Sequence, residues 1–488
     1  ISADQPVVAI SRPHIGTEIM AYNGVNAGAT TVYLPMLFNG KWGYTATFTV
    51  QNTGTDTATY DLIFKDAEDG STSCEISGES LPVHGVVTYD VTNLGPCDGG
   101  GSLPADWFGG ATISSDEPLA VVAKPDINGT DAVTYNGFTG GAATTYLPML
   151  FRGKYGYQSA FYVQNLDPSL DANLTIEFYD ADGVFTCTYV DDSPIGPSVT
   201  RGYWMGAISS ADCEIGDPGF VDPTGWAGSA VITTTSGSSE IVAIGRPHLG
   251  AEVAAYNAFT AGGMVNYLPM LFRGQWGYNS AFYIQNISGN PANISVKFYD
   301  VAGNFTCEYT DAVELPSNAT RGYWTPALNC NDGNSFPGGG WAGSAEISTD
   351  VDVIAVGRPH LSSGQVVVYN AFTGGANEVY VPYNFRNWNG NQTALYIQNL
   401  GVSDATATIT FYDEEDGYYC QMEQVVTPGS AGAIWLAALD NVVCVPKKIS
   451  NTPLFPRPLK NHQSFPVVCV LLPISISKFS VQKIIYTN

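Results

Sequence analysis

Charged residues are scarce in this chain, and basic ones are the scarcest. Only 13 % of the 488 residues are charged, and 19 Lys and Arg stand against 45 Asp and Glu, for a formal net charge of −26. A surface this acidic repels polyanions, so we expect neither nucleic acid nor anionic membrane as a partner. No run of about 20 consecutive apolar residues occurs, and the sequence therefore predicts no membrane span.

The sequence also lacks an initiator methionine and a signal peptide. It opens at Ile1, which we interpret as a processed or truncated start. What it contains instead is 53 Gly, 28 Tyr and a 44 % share of hydrophobic residues. That composition is typical of β-strands joined by tight turns, and the length suits three to four domains.

A repeat of about 115 residues organises the chain. Its clearest marker is the hexapeptide Tyr33-Leu-Pro-Met-Leu-Phe38, which returns at 146–151, 267–272 and, in weakened form, 380–385. Each copy continues with an aromatic turn, a strand ending in Gln-Asn, and a second strand ending in Asp before a glycine turn. Self-similarity at a fixed period indicates a modular array.

The strands of the repeat alternate in polarity. Ile294, Val296 and Phe298 share one side of their strand, and 280–286 alternates in the same way. Period-two patterning predicts strands with one packed face and one wet face. With about seven strands in a unit, we expect an all-β protein, a tandem array of Ig-like antiparallel β-sandwich domains. A four-bladed propeller is the alternative, although propeller blades need only about 40–50 residues.

Alignment of the copies divides the chain into six segments. They are orphan closing strands at 1–30, β-sandwich repeats at 31–143, 144–264 and 265–377, a truncated repeat at 378–444, and an atypical basic tail at 445–488. The tail has no Asp or Glu, six Lys or Arg and six Pro. We interpret it either as an unrelated tail or as the product of a shifted reading frame.

The two ends complement each other. Residues 1–10 align without a gap on 113–122, the closing part of a unit, whereas the fourth unit has no closing strands after Cys444. One interpretation is a fragment of a longer array. The other is strand exchange, in which residues 1–30 of one chain complete the fourth unit of the next and build a head-to-tail filament.

Eight of the nine cysteines form one pair per repeat, at separations of 23, 26, 23 and 24 residues. This regularity predicts disulfides and an oxidising compartment. A zinc site is not expected, because the sequence has no CxxC-type cluster. The predicted pairs are Cys74–Cys97, Cys187–Cys213, Cys307–Cys330 and Cys420–Cys444. Seven Asn-x-Ser/Thr sequons agree with an extracellular location. These candidate glycosylation sites are Asn128, Asn173, Asn286, Asn293, Asn304, Asn318 and Asn391.

Arg-Pro-His at 12–14, 246–248 and 358–360 could supply a base or a ligand. Another copy reads Lys124-Pro-Asp126, and no nucleophile keeps a constant spacing from the histidine. We therefore prefer a structural interpretation, a strand-end turn with a stacked arginine. Because no chemical constellation stands apart from the repeats, the sequence predicts no catalytic site and no cofactor.

Acidic hairpin turns such as 66–70 and 413–417 leave calcium as an open alternative, since carboxylates are hard oxygen ligands. The EF-hand spacing is absent and the third copy, 300–304, loses the acidic cluster. Both facts favour turn geometry as the reason for these residues.

Aromatic pairs flank the glycine of each aromatic turn. Exposed rings there could stack on sugar rings, but we prefer the interpretation that they cap the sandwich core or pack one repeat on the next. The candidate glycan-stacking residues are Trp42, Tyr44, Tyr155, Tyr157, Trp276 and Tyr278.

The order Tyr-Leu-Pro-Met-Leu-Phe, Trp-Gly-Tyr, Ile-Gln-Asn and Phe-Tyr-Asp over 31–444 resembles tandem repeats in secreted surface proteins of filamentous Chloroflexi-type bacteria. The resemblance implies an envelope or extracellular-matrix role. The fourth copy departs from it at Val381, Tyr383 and Asn384.

We therefore expect an extracellular or cell-surface structural protein that forms a rod, filament, sheath or surface layer, with copies of itself as partners. An adhesin or carbohydrate-binding stalk, with surface polysaccharide as its partner, is the alternative.

Overall fold

A computed structural model shows how the repeats fold and meet. It describes residues 1–16, 18–127, 131–216, 220, 225–235, 239–249, 252–361, 364–412 and 419–441. These residues form β-strands and short 3-10 helices, which confirms the all-β prediction. The predicted tail at 445–488 lies outside the described residues.

The strands fall into an N-terminal group and four units. The N-terminal strands are β1 (Ser2–Ile15), β2 (Glu18–Ile19) and β3 (Tyr22–Asn23). Unit 1 has β4 (Ala29–Asn39), β5 (Thr45–Asn52), β6 (Ala58–Asp66), β7 (Thr72–Leu81), β8 (Val86–Asp90), β9 (Trp107–Ile127), β10 (Asp131–Ala132) and β11 (Tyr135–Asn136). Unit 2 has β12 (Thr144–Arg152), β13 (Gln158–Asn165), β14 (Leu174–Asp180), β15 (Phe185–Val190), β16 (Thr200–Trp204), β17 (Cys213–Gly216), β18 (Trp226–Thr234), β19 (Ile241–Leu249), β20 (Glu252–Val253) and β21 (Tyr256–Asn257).

Units 3 and 4 follow the same plan. Unit 3 has β22 (Gly263–Gln275), β23 (Tyr278–Asn286), β24 (Ile294–Asp300), β25 (Phe305–Thr310), β26 (Thr320–Trp324), β27 (Trp341–His360) and β28 (Tyr369–Asn370). Unit 4 has β29 (Ala376–Glu378), β30 (Arg386–Trp388), β31 (Asn391–Asn399), β32 (Ala405–Tyr412), β33 (Tyr419–Val426) and β34 (Ala431–Trp435). The 3-10 helices are Lys41–Gly43, Val91–Asn93, Lys154–Gly156, Ser210–Asp212, Thr325–Ala327 and Leu436–Asn441.

Each complete unit is a sandwich because its longest strand takes part in two sheets. In unit 1 the first half of β9 pairs with β4 and β6, and its second half pairs with β5. One sheet has the order β7-β6-β9-β4 and the other β8-β5-β9. Unit 3 uses β27 in the same way, and unit 2 divides the task between β18 and β19. The prediction of tandem antiparallel β-sandwich domains is confirmed.

Large aromatic side chains fill the space between the two sheets. In unit 1, Phe48, Phe64 and Trp107 are almost fully enclosed, and the Trp107 indole donates to the Ser73 hydroxyl over 3.0 Å. The glycine two residues after this tryptophan has a steric cause. A Cβ at Gly109 would overlap the backbone oxygen of Lys65 and the Trp107 ring. The Trp-x-Gly pattern is therefore a packing requirement of the crossing strand.

The two strands β24 and β23, which both pair with the crossing strand β27, differ in how far their second face is buried. Ile294, Val296 and Phe298 share a packed face as predicted. In β23 the prediction of one wet face is wrong, since Ala281 is 3 % exposed and Gln285 is fully buried. The second face of this sheet packs against the neighbouring unit, and a pattern read within one unit does not register that contact.

The N-terminal strands complete the fourth unit of their own chain. Strand β1 pairs with β31 from Val7 opposite Asn399 to His14 opposite Gln392. Ile1 continues this strand by exchanging two backbone hydrogen bonds with Val379, at 2.9 and 2.8 Å. Residues of the segment 1–30 therefore supply strands to the fourth unit, and in this structure the acceptor belongs to the same chain.

Intrachain pairing bends the array into a closed ring, so the units do not stand in a row as expected for a rod. The four hairpins that carry Asn23, Asn136, Asn257 and Asn370 meet at the centre. Each asparagine side chain donates to the backbone carbonyl of the next asparagine around the ring, at 2.7–2.8 Å, and accepts that residue's N–H at 3.1–3.2 Å. Eight hydrogen bonds thus close a circle around a pseudo-four-fold axis.

The tyrosine before each asparagine fixes its hairpin to its own unit. The Tyr135 hydroxyl donates to the backbone oxygen of Met36 at 2.9 Å and accepts from its N–H at 3.1 Å. The other units use Tyr22, Tyr256 and Tyr369 in the same way. Beside the asparagine ring, the axis holds a cavity of about 10 Å³, room for about one water molecule.

Unit 4 is the thinnest of the four. Within the described residues, β32 pairs with β1 only at Ala407 and Thr408, whereas β24 makes seven such pairs with β27. Strand β1, which closes unit 4, therefore pairs mainly with β31, along eight residues.

Candidate functional site

The junctions between units bring together most of the residues that recur in the sequence. At the junction of units 1 and 2, the guanidinium carbon of Arg246 lies 5.2 Å from the ring centres of both Tyr44 and Tyr162. Phe38 of unit 1 adds an edge contact to Tyr162 at 6.1 Å. The arginine thus lies between an aromatic ring of its own unit and one of the preceding unit, a cation–π contact on each side.

The same clamp occurs at the next two junctions. Arg358 lies between Tyr157 and Tyr283. Arg12, from the N-terminal strand, lies between Tyr278 and Tyr396. The stacked arginine of the sequence-based interpretation is present, but the strand-end turn is wrong, because Arg-Pro-His lies within a paired strand. The structure adds that the stack joins two units.

The fourth junction, between units 4 and 1, departs from this pattern at every position of the clamp. Lys124 occupies the strand position equivalent to that of Arg246. Thr49 occupies the position equivalent to that of Tyr162, the tyrosine from the arginine's own unit. Asn391 occupies the position equivalent to that of Tyr157, the tyrosine that a preceding unit contributes. Each of these residues comes directly before the glutamine whose strand partner is a histidine. Three replacements that share one location indicate that the clamp residues work as a set.

A histidine lies two residues beyond each clamp arginine and meets an exposed tryptophan. His248 lies 5.2 Å from Trp204, edge to face, and His360 and His14 make the same contact with Trp324 and Trp435. Burial, with the charge of the nearby arginine as a second cause, lowers the pKa of each histidine to about 4. At neutral pH these imidazoles are therefore uncharged.

The aromatic turns place one ring outside and one inside. Trp42, Tyr155 and Trp276 are 58, 75 and 63 % exposed. Their partners Tyr44, Tyr157 and Tyr278 instead pack edge-on against the phenylalanine of the hexapeptide, at 5.3 Å, and against the clamp arginines. Of the six candidate stacking residues, the three inner tyrosines pack at the junctions between units and the other three are exposed.

The three exposed rings share a strained backbone. Trp42, Tyr155 and Trp276 have φ between +54° and +57°, a left-handed conformation that bulky residues rarely adopt. In unit 4, Asn389 takes this conformation at φ +50°. Strain of this kind costs on the order of 1–3 kcal/mol and persists where the aromatic residue has a use.

Beside one of these rings lies a small apolar groove. At the junction of units 3 and 4, Trp276 borders a cavity of about 10 Å³ whose walls include Phe272, Val301, Ala342 and Tyr396. In unit 1 the residue equivalent to Ala342 is Phe108, which stacks on Phe38 at 5.1 Å and lies 5.6 Å from Trp42. Phenylalanine therefore occupies in unit 1 the space that alanine leaves beside Trp276.

Basic and acidic side chains flank the exposed ring of unit 1. Lys41 lies 6.0 Å from the Trp42 ring and forms an ion pair of 2.7 Å with Glu68. The Glu68 carboxylate is exposed enough to bond a ligand hydroxyl, whereas the Lys41 side chain is mostly covered. Lys154 lies 6.0 Å from Tyr155 in unit 2. A flat apolar ring beside charged hydrogen-bonding groups suits an amphipathic ligand.

Three of the four predicted disulfides are present. Cys74–Cys97, Cys187–Cys213 and Cys307–Cys330 have Cα separations of 5.3, 5.4 and 5.9 Å. Cys420 is disulfide-bonded, and Cys444, its predicted partner, lies outside the described residues.

The acidic turns use their aspartates to hold the turn. The Asp180 carboxylate accepts the N–H groups of Asp182 and Val184, and Asp300 does the same for its own turn. Among the described residues no group of three or more His, Cys, Asp or Glu is placed to hold a metal ion. Residues 413–417 lie outside the described part of the chain.

One predicted sequon is enclosed. Asn286 is fully buried, and its side-chain amide donates to the backbone oxygens of Asn290 and Leu315, so this asparagine has no room for a glycan. Asn173, Asn293 and Asn304 are exposed, and Asn318 and Asn391 are half-buried. Asn128 lies outside the described residues.

Sequence reasoning missed the asparagine ring, the partner of each inner tyrosine and the role of Phe108. Two signals were present: Tyr-Asn recurs in all four copies, and arginine and tyrosine are lost together at Lys124, Thr49 and Asn391.

No protein-family model matches the chain, and no curated protein matches it either. No helix in the described parts of the chain has the length and apolar character of a membrane span.

Proposed function

We propose that this protein is an extracellular structural protein in which a closed ring of four disulfide-bonded sandwiches is the building block of a surface layer or sheath. The observation that carries the proposal is the closure of the ring by β1, which pairs with β31 over eight residues. Closure protects both edges of the array, and a ring without an open edge resists fraying and proteolysis.

Disulfides in the complete units support the extracellular part of the proposal. The resemblance of the repeats to those of secreted bacterial surface proteins supports the envelope role. Because the N-terminal strand is used inside its own chain, the proposal needs no strand exchange, and rings meet through their outer surfaces.

Negative-stain microscopy of native cell-surface material tests this function. We expect regular sheets or stacks of rings that an antibody against the protein labels. Labelling confined to dispersed particles in the medium would argue against a structural layer.

A second function, carbohydrate binding at the cell surface, is favoured by one specific observation. Trp42, Tyr155 and Trp276 are exposed and strained at equivalent places on three units. Repeated platforms on a rigid ring would bind a polysaccharide at several points, which multiplies a weak affinity.

A glycan array with wild-type protein and the triple variant Trp42→Ala/Tyr155→Ala/Trp276→Ala tests this second function. We expect the triple variant to lose binding, and Val402→Ala, at a residue that is 97 % exposed, to retain it. Equal binding by wild type and triple variant would exclude these rings as the platforms.

A further inference from the structure

Three arginines are buried without a countercharge among the residues that the structure describes. Arg12, Arg246 and Arg358 are 5, 4 and 6 % exposed. In each of them Nε and Nη1 are enclosed and have no hydrogen-bond partner among the described residues. The tyrosine rings on either side offer cation–π contacts, but they supply neither a negative charge nor an acceptor atom. A buried guanidinium in this state is costly, and such groups are normally paired.

The histidine of the same strand has an unused hydrogen-bonding atom as well. Nε2 of His14, His248 and His360 is enclosed and without a partner among the described residues. Arginine and histidine are two residues apart on one strand, so their side chains lie on the same face. Each junction therefore places two unsatisfied nitrogen groups side by side.

In the fourth copy of the tripeptide a carboxylate takes the place of the imidazole. In Lys124-Pro-Asp126, Asp126 occupies the position that is equivalent to His248 of the next unit. The Lys124 ammonium donates to both carboxylate oxygens of Asp126, at 2.6 and 2.7 Å. This copy carries its own carboxylate at the end of the strand. The other three copies keep the cation and lack the anion.

We propose that each Arg-Pro-His position binds a carboxylate from outside the chain, held between the guanidinium and the imidazole of one strand. The tryptophans that meet the histidines, Trp204, Trp324 and Trp435, are 36–41 % exposed, and the histidines themselves are half-buried, so each site borders solvent beside an indole ring. A carboxylate on a sugar, as in a uronic acid, would use both the cation and the ring. This site borders the inner tyrosine of each aromatic turn but uses none of the exposed rings Trp42, Tyr155 and Trp276, and it does not depend on the structural role proposed above.

Nitrogen-15 NMR of the arginine Nε–H groups in the full chain tests the proposal. Sodium glucuronate and sodium acetate are the probes, with glucose and sodium chloride at equal concentration as controls. We expect three Nε–H signals to shift and saturate with either carboxylate, with glucuronate at least threefold tighter if the indole contributes. Equal affinity for the two probes identifies any free carboxylate as the ligand, whereas tighter glucuronate identifies a uronic acid. Signals that move no more with either carboxylate than with sodium chloride would overturn the proposal.

A variant that copies the fourth junction provides the matched control. Arg246→Lys/His248→Asp installs the built-in ion pair of Lys124 and Asp126 at the junction of units 1 and 2. The number of carboxylate sites should fall from three to two while the other two keep their affinity. Three remaining sites would contradict the proposal. Should this variant not fold, Arg358→Lys/His360→Asp makes the same comparison one junction further on.

Discussion

The side-chain amide of Asn23 donates to the backbone carbonyl of Asn370 over 2.8 Å, although 347 residues separate them in the chain. The Asn370 N–H returns a hydrogen bond of 3.1 Å to the Asn23 side chain. Through this pair the hairpin of unit 3 meets the N-terminal hairpin that completes unit 4, and the ring closes.

Replacing Asn23 with alanine should open this contact. The substitution removes two hydrogen bonds and leaves the partly buried N–H and C=O of Asn370 unsatisfied, so the free energy of unfolding should fall by about 1–3 kcal/mol. Guanidinium denaturation followed by tryptophan fluorescence measures the change. Asn290→Ala, in an exposed loop, should change stability by less than about 0.5 kcal/mol. Equal effects of the two variants would show that the ring contributes nothing.

Truncating a buried side chain of the closing strand β1 should destabilise unit 4 and its junction with unit 3. Ile10 is fully buried and packs in the hydrophobic cluster that includes Phe272 and Tyr396. Ile10→Ala should therefore cost about 2–4 kcal/mol through lost burial and the cavity left behind. Hydrogen exchange should speed up in β31 before it does in unit 2. Uniform acceleration in all units would mean that the ring unfolds as one body.

Removing one disulfide should weaken unit 2. The bond between Cys187 and Cys213 closes a loop of 26 residues, and the chain-entropy model assigns such a loop about 3 kcal/mol. The double variant Cys187→Ser/Cys213→Ser should show this loss in denaturation under oxidising conditions. Wild-type protein treated with a reductant should approach the stability of the variant or fall below it, since its other disulfides are also reduced.

Acidification should destabilise the folded ring between pH 6.5 and 4. The pKa of His14, His248 and His360 is about 4 in the folded protein, chiefly because of burial, whereas an unfolded histidine titrates near about 6.5. As the pH falls through this window the unfolded chain takes up the protons first, so stability decreases and then levels off below about pH 4. The variant with glutamine at all three positions should show a flatter slope. Denaturation at four pH values, compared between the two proteins, isolates the histidines from the carboxylates.

Relieving strain at an exposed aromatic turn should stabilise the protein. Trp276→Asn places at φ +54° the residue type that unit 4 uses in this conformation at Asn389. Because asparagine tolerates the left-handed region and little apolar burial is lost, we expect a gain of up to about 1 kcal/mol in stability. Thermal denaturation measures it. A loss above about 1 kcal/mol would show instead that the indole is needed for packing beside Phe272.

The repeat, the β-sandwich units and the cysteine pairing were predictable because each depends on local pattern. Ile294, Val296 and Phe298 reveal a packed strand face through their alternation, and cysteine spacing reports a pairing confined to one unit. The sequence did not separate the exposed ring of each aromatic turn from the inner ring, Tyr44 and its equivalents, because both positions read simply as aromatic beside glycine.

What the sequence by itself determined is the unit: four copies of a strand pattern, their cysteine pairs and an N-terminal segment that belongs to a fourth-unit sheet. Tertiary structure alone decided that this segment returns to its own chain, because the direction in which successive sandwiches turn depends on contacts at the junctions. The same contacts bury the second face of β23, place Arg246 between Tyr44 and Tyr162, and bring Asn23 to Asn370. Those pairings join residues more than 80 positions apart, and no periodicity within a unit encodes them.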